Sequence, residues 1–361
     1  MKMKHSGYIE LTEEMVRSYY SDDDYRQYKG YRLLAIDGSR IQLPNRDSVK
    51  EEFGVAENWS EKPIPMATSS IAYDILNHMV VSMYLDKYNA DERALASKHL
   101  DKIRELTPRP RDIILMDRGY PSLYLFTKMV LMGYDFIMRC NDTSFIKEVK
   151  DFAQSEKTDK IIEIDLTLYH RKANPELQKL EGKPDRLKLR VLKIKLSTGE
   201  TEYIISSLID KTKVRKEEFK ELYHLRWGEE TYFNYQKNVL ELENFSGRNP
   251  ETIKQDYYAK IFSSNMSSLL IEDAQEEVDE ETSQNEQLQY TRYKINRSVA
   301  TGILKDEIVE MLLAPEKEQE YRYKKLVKTI KRFTIPVIPN RHFDRLKERI
   351  TKFFLKKRKT I

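Results

Sequence analysis

Short apolar runs, each closed by an aspartate or a turn signal, recur along the first 140 residues and constrain the fold more than any other feature. Tyr31-Arg32-Leu33-Leu34-Ala35-Ile36 reads as a buried strand that stops at the turn signal Asp37-Gly38-Ser39. Asp112-Ile113-Ile114-Leu115-Met116 is a second such run and ends at Asp117-Arg118-Gly119. Asp135-Phe136-Ile137-Met138-Arg139 is a third. Residues 67–86 read as two further strands around Asn77-His78. Asn89-Ala90-Asp91-Glu92 caps a helix running to about Leu106, which Pro108-Arg109-Pro110 ends. A second helix covers residues 121–132. The order is βββαβαβ, which specifies an α/β fold with a mixed sheet and covering helices.

The rest of the chain is organised differently. Residues 1–30 form a short, mostly polar helical lead-in with an acidic knot at Asp22-Asp23-Asp24. Residues 31–140 hold the strands and helices above. In 141–210, Ile162, Ile164, Leu166 and Leu168 alternate with polar residues. So do Leu187, Leu189 and Val191, and then Leu192, Ile194 and Leu196. Ser197-Thr198-Gly199-Glu200 reads as a hairpin turn, so this stretch is a β-rich insertion. Residues 211–271 are helical, with one long helix over 215–240 and another over 250–271. Residues 272–321 are acidic and helical, and 272–281 hold seven acidic residues in ten, read as a solvated helix end or loop.

Charge is unevenly placed. Residues 322–361 carry fifteen Lys/Arg against two Asp/Glu, while the formal charge of the whole chain is +4. An acidic body thus ends in a basic tail, which points to a polyanionic partner. Several classes fall away. The single cysteine, Cys140, makes neither an intrachain disulfide nor a thiolate zinc cluster. The six histidines show no paired metal-ligand spacing. No apolar run approaches the roughly 18 residues of a membrane span. The N-terminus is not a secretory signal, so a reducing cytoplasm is expected. Neither a phosphate-binding GxxxxGK[ST] loop nor a GxGxxG turn is present, so no nucleotide cofactor is expected.

Two features carry chemistry. Asp37 and Asp117 each follow an apolar strand and precede a turn, which presents them at a sheet edge where ligands bind. Either one alone is also ordinary turn chemistry. Tyr223, Arg226, Glu230 and Lys237 then fall, at about 100° per residue, within a helix stripe about 60° wide. Such a stripe also suits a solvated face with Arg226 and Glu230 paired. Its neighbours Leu222, Leu225, Trp227, Tyr232 and Phe233 are apolar, and a buried helix that keeps an ionic stripe has a use for it.

Tyr223-x₂-Arg226-x₃-Glu230-x₆-Lys237 resembles, position for position, the Y-(2)-R-(3)-E-(6)-K pattern of the bacterial DDE transposases of insertion-sequence family four. Leu34-Ala35-Ile36-Asp37-Gly38-Ser39, Met116-Asp117-Arg118-Gly119-Tyr120 and Arg226-Trp227-Gly228-Glu229-Glu230 are similar to that family's three carboxylate contexts. Tyr73-Asp74-Ile75-Leu76-Asn77 and Asp91-Glu92-Arg93-Ala94-Leu95-Ala96 also resemble it, and the likeness covers roughly residues 30–270.

The resemblance implies a ribonuclease H-like mixed sheet with flanking helices and a β-rich insertion between the second Asp and the Glu. It implies a metal-dependent DNA endonuclease and strand transferase. Asp37, Asp117 and Glu230 would be its catalytic and metal-binding carboxylates, holding two Mg²⁺ ions for which Mn²⁺ can substitute. Asp37 would bridge both ions. Tyr223, Arg226 and Lys237 would position the DNA strand end. Arg139 and the tail residues Lys324, Lys325, Lys328, Lys331 and Arg332 would add contacts to the DNA backbone, as would Lys356-Lys357-Arg358-Lys359. The implied partners are double-stranded inverted-repeat ends and target DNA, with a homodimer on paired ends, a hairpin intermediate and no membrane. The implied location is the bacterial cytoplasm, at the nucleoid. Only 36 residues precede Asp37, fewer than in most of the family. A non-catalytic, DNA-binding or inhibitory relic is therefore a rival expectation, and a cellular nuclease on the same fold is a weaker one.

Overall fold

The computed structural model describes residues 3–56, 63–143, 146–166, 174–196, 199–283, 290 and 292–338, without the side chains of Trp227, Glu229 and Glu230. The chain divides into two compact units. One comprises Glu13–Asn234 with Arg248–Pro250; the other comprises Met1–Thr12, Tyr235–Gly247 and Glu251–Ile361.

In chain order the elements of the first unit are helix α1 (His5–Tyr19, from its second half), β1 (Arg32–Gln42), α2 (Asp47–Phe53), β2 (Val55–Ala56), β3 (Ile64–Asp74), β4 (Met79–Lys87), α3 (Glu92–Leu106), β5 (Asp112–Met116), α4 (Leu123–Leu131) and β6 (Asp135–Cys140). Then come α5 (Lys147–Gln154), β7 (Asp159–Asp165), α6 (Pro175–Lys179), β8 (Arg186–Lys195), β9 (Thr201–Ser206), α7 (Lys216–Leu225) and α8 (Trp227–Asn238), the last running on into the second unit.

Nine strands make one sheet, in the order β2-β3-β1-β5-β6-β9-β8-β7 with β4 also paired to β3. β1 is antiparallel to β3 and β3 to β4, while β1, β5 and β6 run parallel. This arrangement of β4-β3-β1-β5-β6 is the ribonuclease H-like sheet. β1, β5 and β6 read as near-continuous apolar runs because helices cover them. The helices seat on the sheet through Ala96, Leu100 and Ile103 of α3 and Leu125, Phe126 and Met129 of α4, all in the principal core. Side chains begin α3 and α4 as propensity requires: Asp91 accepts from the Arg93 N–H and Ser122 from the Leu125 N–H.

One buried ion pair sets the register on which the site depends. Arg32 Nε donates to Asp112 Oδ1 at 2.7 Å and Arg32 Nη2 to Asp112 Oδ2 at 3.0 Å, joining the first residues of β1 and β5. The ring of Tyr20 stacks beneath the guanidinium, 4.3 Å from it. The parallel register Arg32↔Asp112 runs to Ala35↔Leu115. Two residues beyond that register stand Asp37, still within β1, and Asp117, just past the end of β5.

Two expectations need correction. β1 does not stop at Asp37-Gly38-Ser39 but continues to Gln42, because Asp37, Gly38 and Ser39 pair with Ile71, Ser70 and Ser69 of β3. A long antiparallel partner overrides a local turn signal. The helix expected over 215–240 is two helices, α7 and α8, meeting at Arg226, whose N–H turns back to Tyr223 O rather than to a carbonyl four residues earlier. Arg226 keeps helical dihedrals (φ −52°, ψ −32°), so the sequence period runs through the break undisturbed.

The β-rich stretch extends the main sheet instead of folding apart, with β9 antiparallel to β6 and β8 to β9. The change of phase at Val191/Leu192 lies inside one strand. Leu187, Leu189 and Val191 join the principal core, while Leu192 and Ile194 are buried outside it. Leu168 lies outside the described residues.

The second unit holds α9 (Pro250–Ser283), β10 (Tyr293–Ile295), α10 (Arg297–Leu313), α11 (Glu316–Ile330) and β11 (Thr334–Pro336). Its core is built from Leu270, Ala274, Leu304, Leu326 and Ile330. The acidic stretch 272–281 is the last third of the 34-residue α9. It meets the start of the basic stretch directly: Lys331 Nζ lies 2.8 Å from Glu277 Oε2 and 2.7 Å from Glu281 Oε1, and the Tyr323 hydroxyl donates to Asp273. The segment from Arg322 therefore begins inside a helix.

Candidate active site

β5 ends at Met116 while β1 runs on beside β3, so the sheet is open on one side of Asp37. Asp117 follows β5 directly and stands at the same edge. Each carboxylate is oriented by a neighbouring amide. Asp37 Oδ1 accepts from Gly38 N at 2.8 Å and Asp117 Oδ1 from Gly119 N at 2.6 Å. A Cβ on Gly119 would stand 3.0 Å from Asp117 Oδ1, so this turn favours a residue without a side chain. The Tyr120 hydroxyl, from a side chain 1% exposed, donates to Asp37 Oδ1 at 3.4 Å. From α3, Arg93 Nε donates to Gly119 O at 3.0 Å and ties the turn to the helix start.

Behind Asp37 lies a buried polar relay. Ser70 Oγ donates to the Asp37 carbonyl at 3.4 Å and lies 3.0 Å from His99 Nε2, while His99 Nδ1 lies 2.9 Å from Ser82 Oγ. Burial pushes the His99 pKa down to about 3.

The α7–α8 junction supplies the cationic side. Arg226 Nη1 is 3.8 Å from Asp37 Oδ2, and its guanidinium lies 5.6 Å from the Tyr223 ring centroid. Burial raises the Asp37 pKa to about 6; the Gly38 N–H and Arg226 oppose this, and Asp117 and Glu92 reinforce it. Tyr223 is 4% exposed and its hydroxyl finds no hydrogen-bond partner among the described residues. Burial pushes its pKa up to about 12. A buried hydroxyl left unpaired costs about 1–3 kcal/mol, which a ligand oxygen would recover.

α8 is held close to the β3–β4 hairpin. Tyr232 stacks on Tyr73 with centroids 4.3 Å apart, and a Cβ on Gly228 would stand 3.0 Å from Ile75 Cγ2. Glu230 sits in the first turn of this helix, one turn beyond Arg226.

The structure thus brings together Asp37, Asp117, Tyr223 and Arg226. The Glu230 side chain is not described. Lys237 is half-buried in the last turn of α8 and belongs to the second unit. Arg139, the register neighbour of Asp117 one residue past Met116↔Met138, is engaged by Glu202 of β9 at 3.1 Å. In the second unit, Lys324 pairs with Glu320 and Lys331 with α9, whereas Lys325, Lys328 and Arg332 make no ion pair among the described residues. Residues 356–359 lie outside the described residues.

Sequence reasoning missed Tyr120, Glu202 and the Ser70–His99–Ser82 relay. Tyr120 had a signal, three residues after Asp117; the others join through space alone.

Asp37 and Asp117 are thus half-buried carboxylates at one open edge of a ribonuclease H-like sheet. The family profile described as the transposase DDE domain matches residues 28–266, so the chain belongs to the DDE transposases. No curated protein matches it. Among solved structures, a piggyBac transposase in a synaptic complex with hairpin DNA is similar, with a TM-score of 0.46 and 12% identity, over 82% of this chain and 57% of that one. The chain therefore matches less than two thirds of that protein's length.

The donor set fits a hard divalent cation. Asp37 and Asp117 offer oxygen ligands of the kind such an ion takes, and the upward shift at Asp37, caused first by burial and reinforced by the Asp117 charge, is one that a cation would oppose. No group of three ligating side chains occurs among the described residues. No described helix is long and apolar enough to cross a membrane.

Proposed function

We propose that the chain is the transposase of a bacterial insertion sequence of family four. It cuts DNA at the element's inverted-repeat ends and joins the freed ends to target DNA, by cut-and-paste through hairpin ends. The observation that carries this reading is the placing of Asp37 and Asp117 two residues beyond the last parallel pair of β1 and β5, Ala35↔Leu115, with Arg226 3.8 Å from Asp37.

Asp37, Asp117 and Glu230 would hold two Mg²⁺ ions, or Mn²⁺ in their place, which when bound activate the attacking water and stabilise the leaving oxygen. The chain's own residues do the positioning. The Gly38 N–H and the Tyr120 hydroxyl fix the Asp37 carboxylate, and Gly119 fixes that of Asp117. Arg226 is a buried fork suited to two phosphate oxygens, and the Tyr223 hydroxyl is a donor awaiting one. Lys237, Arg139 and the basic residues of α11 and its exit would add contacts to the DNA backbone. No nucleotide cofactor enters. The enzyme acts as a homodimer on paired DNA ends, at the bacterial nucleoid.

Cleavage of a labelled duplex carrying the element's terminal repeat tests this. Metal-dependent nicking at the repeat end, lost in Asp37→Asn, Asp117→Asn and Glu230→Gln, is the expected result. Binding without cleavage by the unaltered protein would instead establish a non-catalytic, inhibitory DNA-binding protein.

A further inference from the structure

A groove leads away from this site, and the carboxylates do not use it. Between the β8–β9 hairpin and α7 lie two clefts in the first unit, of about 690 Å³ and about 550 Å³. They share the lining residues Ile194 and Lys220 and so adjoin one another. The larger ends at Tyr223, whose buried hydroxyl has no partner among the described residues. Its floor is apolar, with Ile194, Leu196 and Leu222. The smaller opens among Lys193, Lys195, Lys216 and Lys220, against the single carboxylate of Glu217.

These lysines are not equivalent. Lys193 is committed to the fold, donating to Ala153 O at 3.0 Å and to Ser155 O. The side chains of Lys195, Lys216 and Lys220 make no hydrogen bond or ion pair among the described residues. Most other cations nearby are neutralised: Lys188 faces Glu163, Lys211 faces Asp159 and Arg139 faces Glu202. Three unspent ammonium groups along adjoining clefts, the larger of which ends at an unspent buried donor, suit a ligand with several evenly spaced anionic groups. A polyphosphodiester has that form, whereas a single small anion would use one lysine.

We propose that this groove is a phosphodiester track, which holds the backbone of the DNA running away from the cleaved end, from Tyr223 outward past Lys220 to Lys216 and Lys195. The inference rests on the transposase reading and extends it to a second contact region on the β-rich strands. The track carries affinity and leaves sequence choice to other contacts, since ammonium groups on a backbone read no base.

The test uses the full-length protein with a chelator present, so that binding is read without cutting. Anisotropy of a labelled mixed-sequence duplex is followed between about 50 and about 200 mM salt. The triple variant Lys195→Ala/Lys216→Ala/Lys220→Ala should flatten the slope of log affinity against log salt by about 2.7, at about 0.9 per phosphate contact. A charge-matched control, Lys50→Ala/Lys98→Ala/Lys188→Ala, removes ammonium groups that face Asp47, Asp86 and Glu163 and should leave the slope near that of the unaltered protein. Lysine acetylation read by mass spectrometry should show Lys195, Lys216 and Lys220 protected by DNA. Equal slopes for the two triple variants, or full reactivity of the three lysines in the complex, overturns the track while leaving the transposase reading standing. If the unaltered protein binds no DNA, both fall together.

Discussion

Acidification from about pH 7.5 to about pH 5 should cost the first unit about 2 kcal/mol through His99 alone. The imidazole is fully buried between Ser70 and Ser82, with the Tyr84 ring 4.7 Å away, and no carboxylate among the described residues bonds to it. Its pKa falls to about 3 in the fold, whereas an unfolded histidine titrates near about 6.5. Between those values the unfolded chain binds a proton that the folded chain refuses. Stability from this group is therefore complete above the unfolded value and is lost as pH falls toward the folded one. At pH 5 the loss works out at about 2 kcal/mol. Asp37 acts in the opposite sense. Its folded carboxyl, raised to about 6, holds a proton more tightly than the unfolded one, which returns about 1 kcal/mol on the same acidification. The unaltered protein alone would thus show a muted response, and His99→Gln separates the two contributions. Urea unfolding read by hydrogen exchange on peptides of β1, β5 and α3 reports on this unit. With metal removed by a chelator, His99→Gln should be less stable at pH 7.5. Between pH 7.5 and 5 it should lose about 2 kcal/mol less than the unaltered protein does. Parallel losses in the two proteins would refute the argument, because they would mean that His99 takes up its proton without leaving the fold.

Two further outcomes are expected near the carboxylates. Tyr120→Phe removes a long hydrogen bond to Asp37, worth about 1 kcal/mol, and single-turnover cleavage should slow about fivefold with DNA affinity unchanged. An unchanged rate would remove Tyr120 from the orientation of Asp37. Gly228→Ala should destabilise the unit by about 1–3 kcal/mol through the Ile75 contact, although helix propensity alone predicts a gain of about 1 kcal/mol. Urea titration decides the sign, and adding Ile75→Ala should relieve the strain; a stabilised single variant would show that α8 is not seated on the hairpin.

Sequence legibility followed the physical range of the signals. β5 and α3 are readable to within a residue because apolar runs, an aspartate cap and a Pro-Arg-Pro stop are local. Asp37 and Asp117 stand out because each closes such a run. Their juxtaposition depends on the Arg32–Asp112 pair and a parallel register spanning eighty residues, which no local pattern encodes. The continuation of β1 past Asp37 was hidden for the same reason: Gly38 and Ser39 look like a turn until Ser70 and Ser69 pair with them. The break at Arg226 leaves no trace in periodicity, since that residue keeps helical dihedrals. Glu202 was unreadable as Arg139's partner, because the two meet only through the antiparallel pairing of β6 with β9.

That same pairing limits how the molecule can be cut down or regrafted. Strand β9 covers the outer rim of β6, whose Phe136, Ile137 and Met138 are fully buried. A shortened protein lacking the segment between β6 and α7 would leave an unpaired apolar rim beside Asp117, a template for joining another chain edge to edge. Residues 141–210 therefore act as a dust cover on the enzyme's sheet, and deletion should yield aggregates before it yields a minimal nuclease.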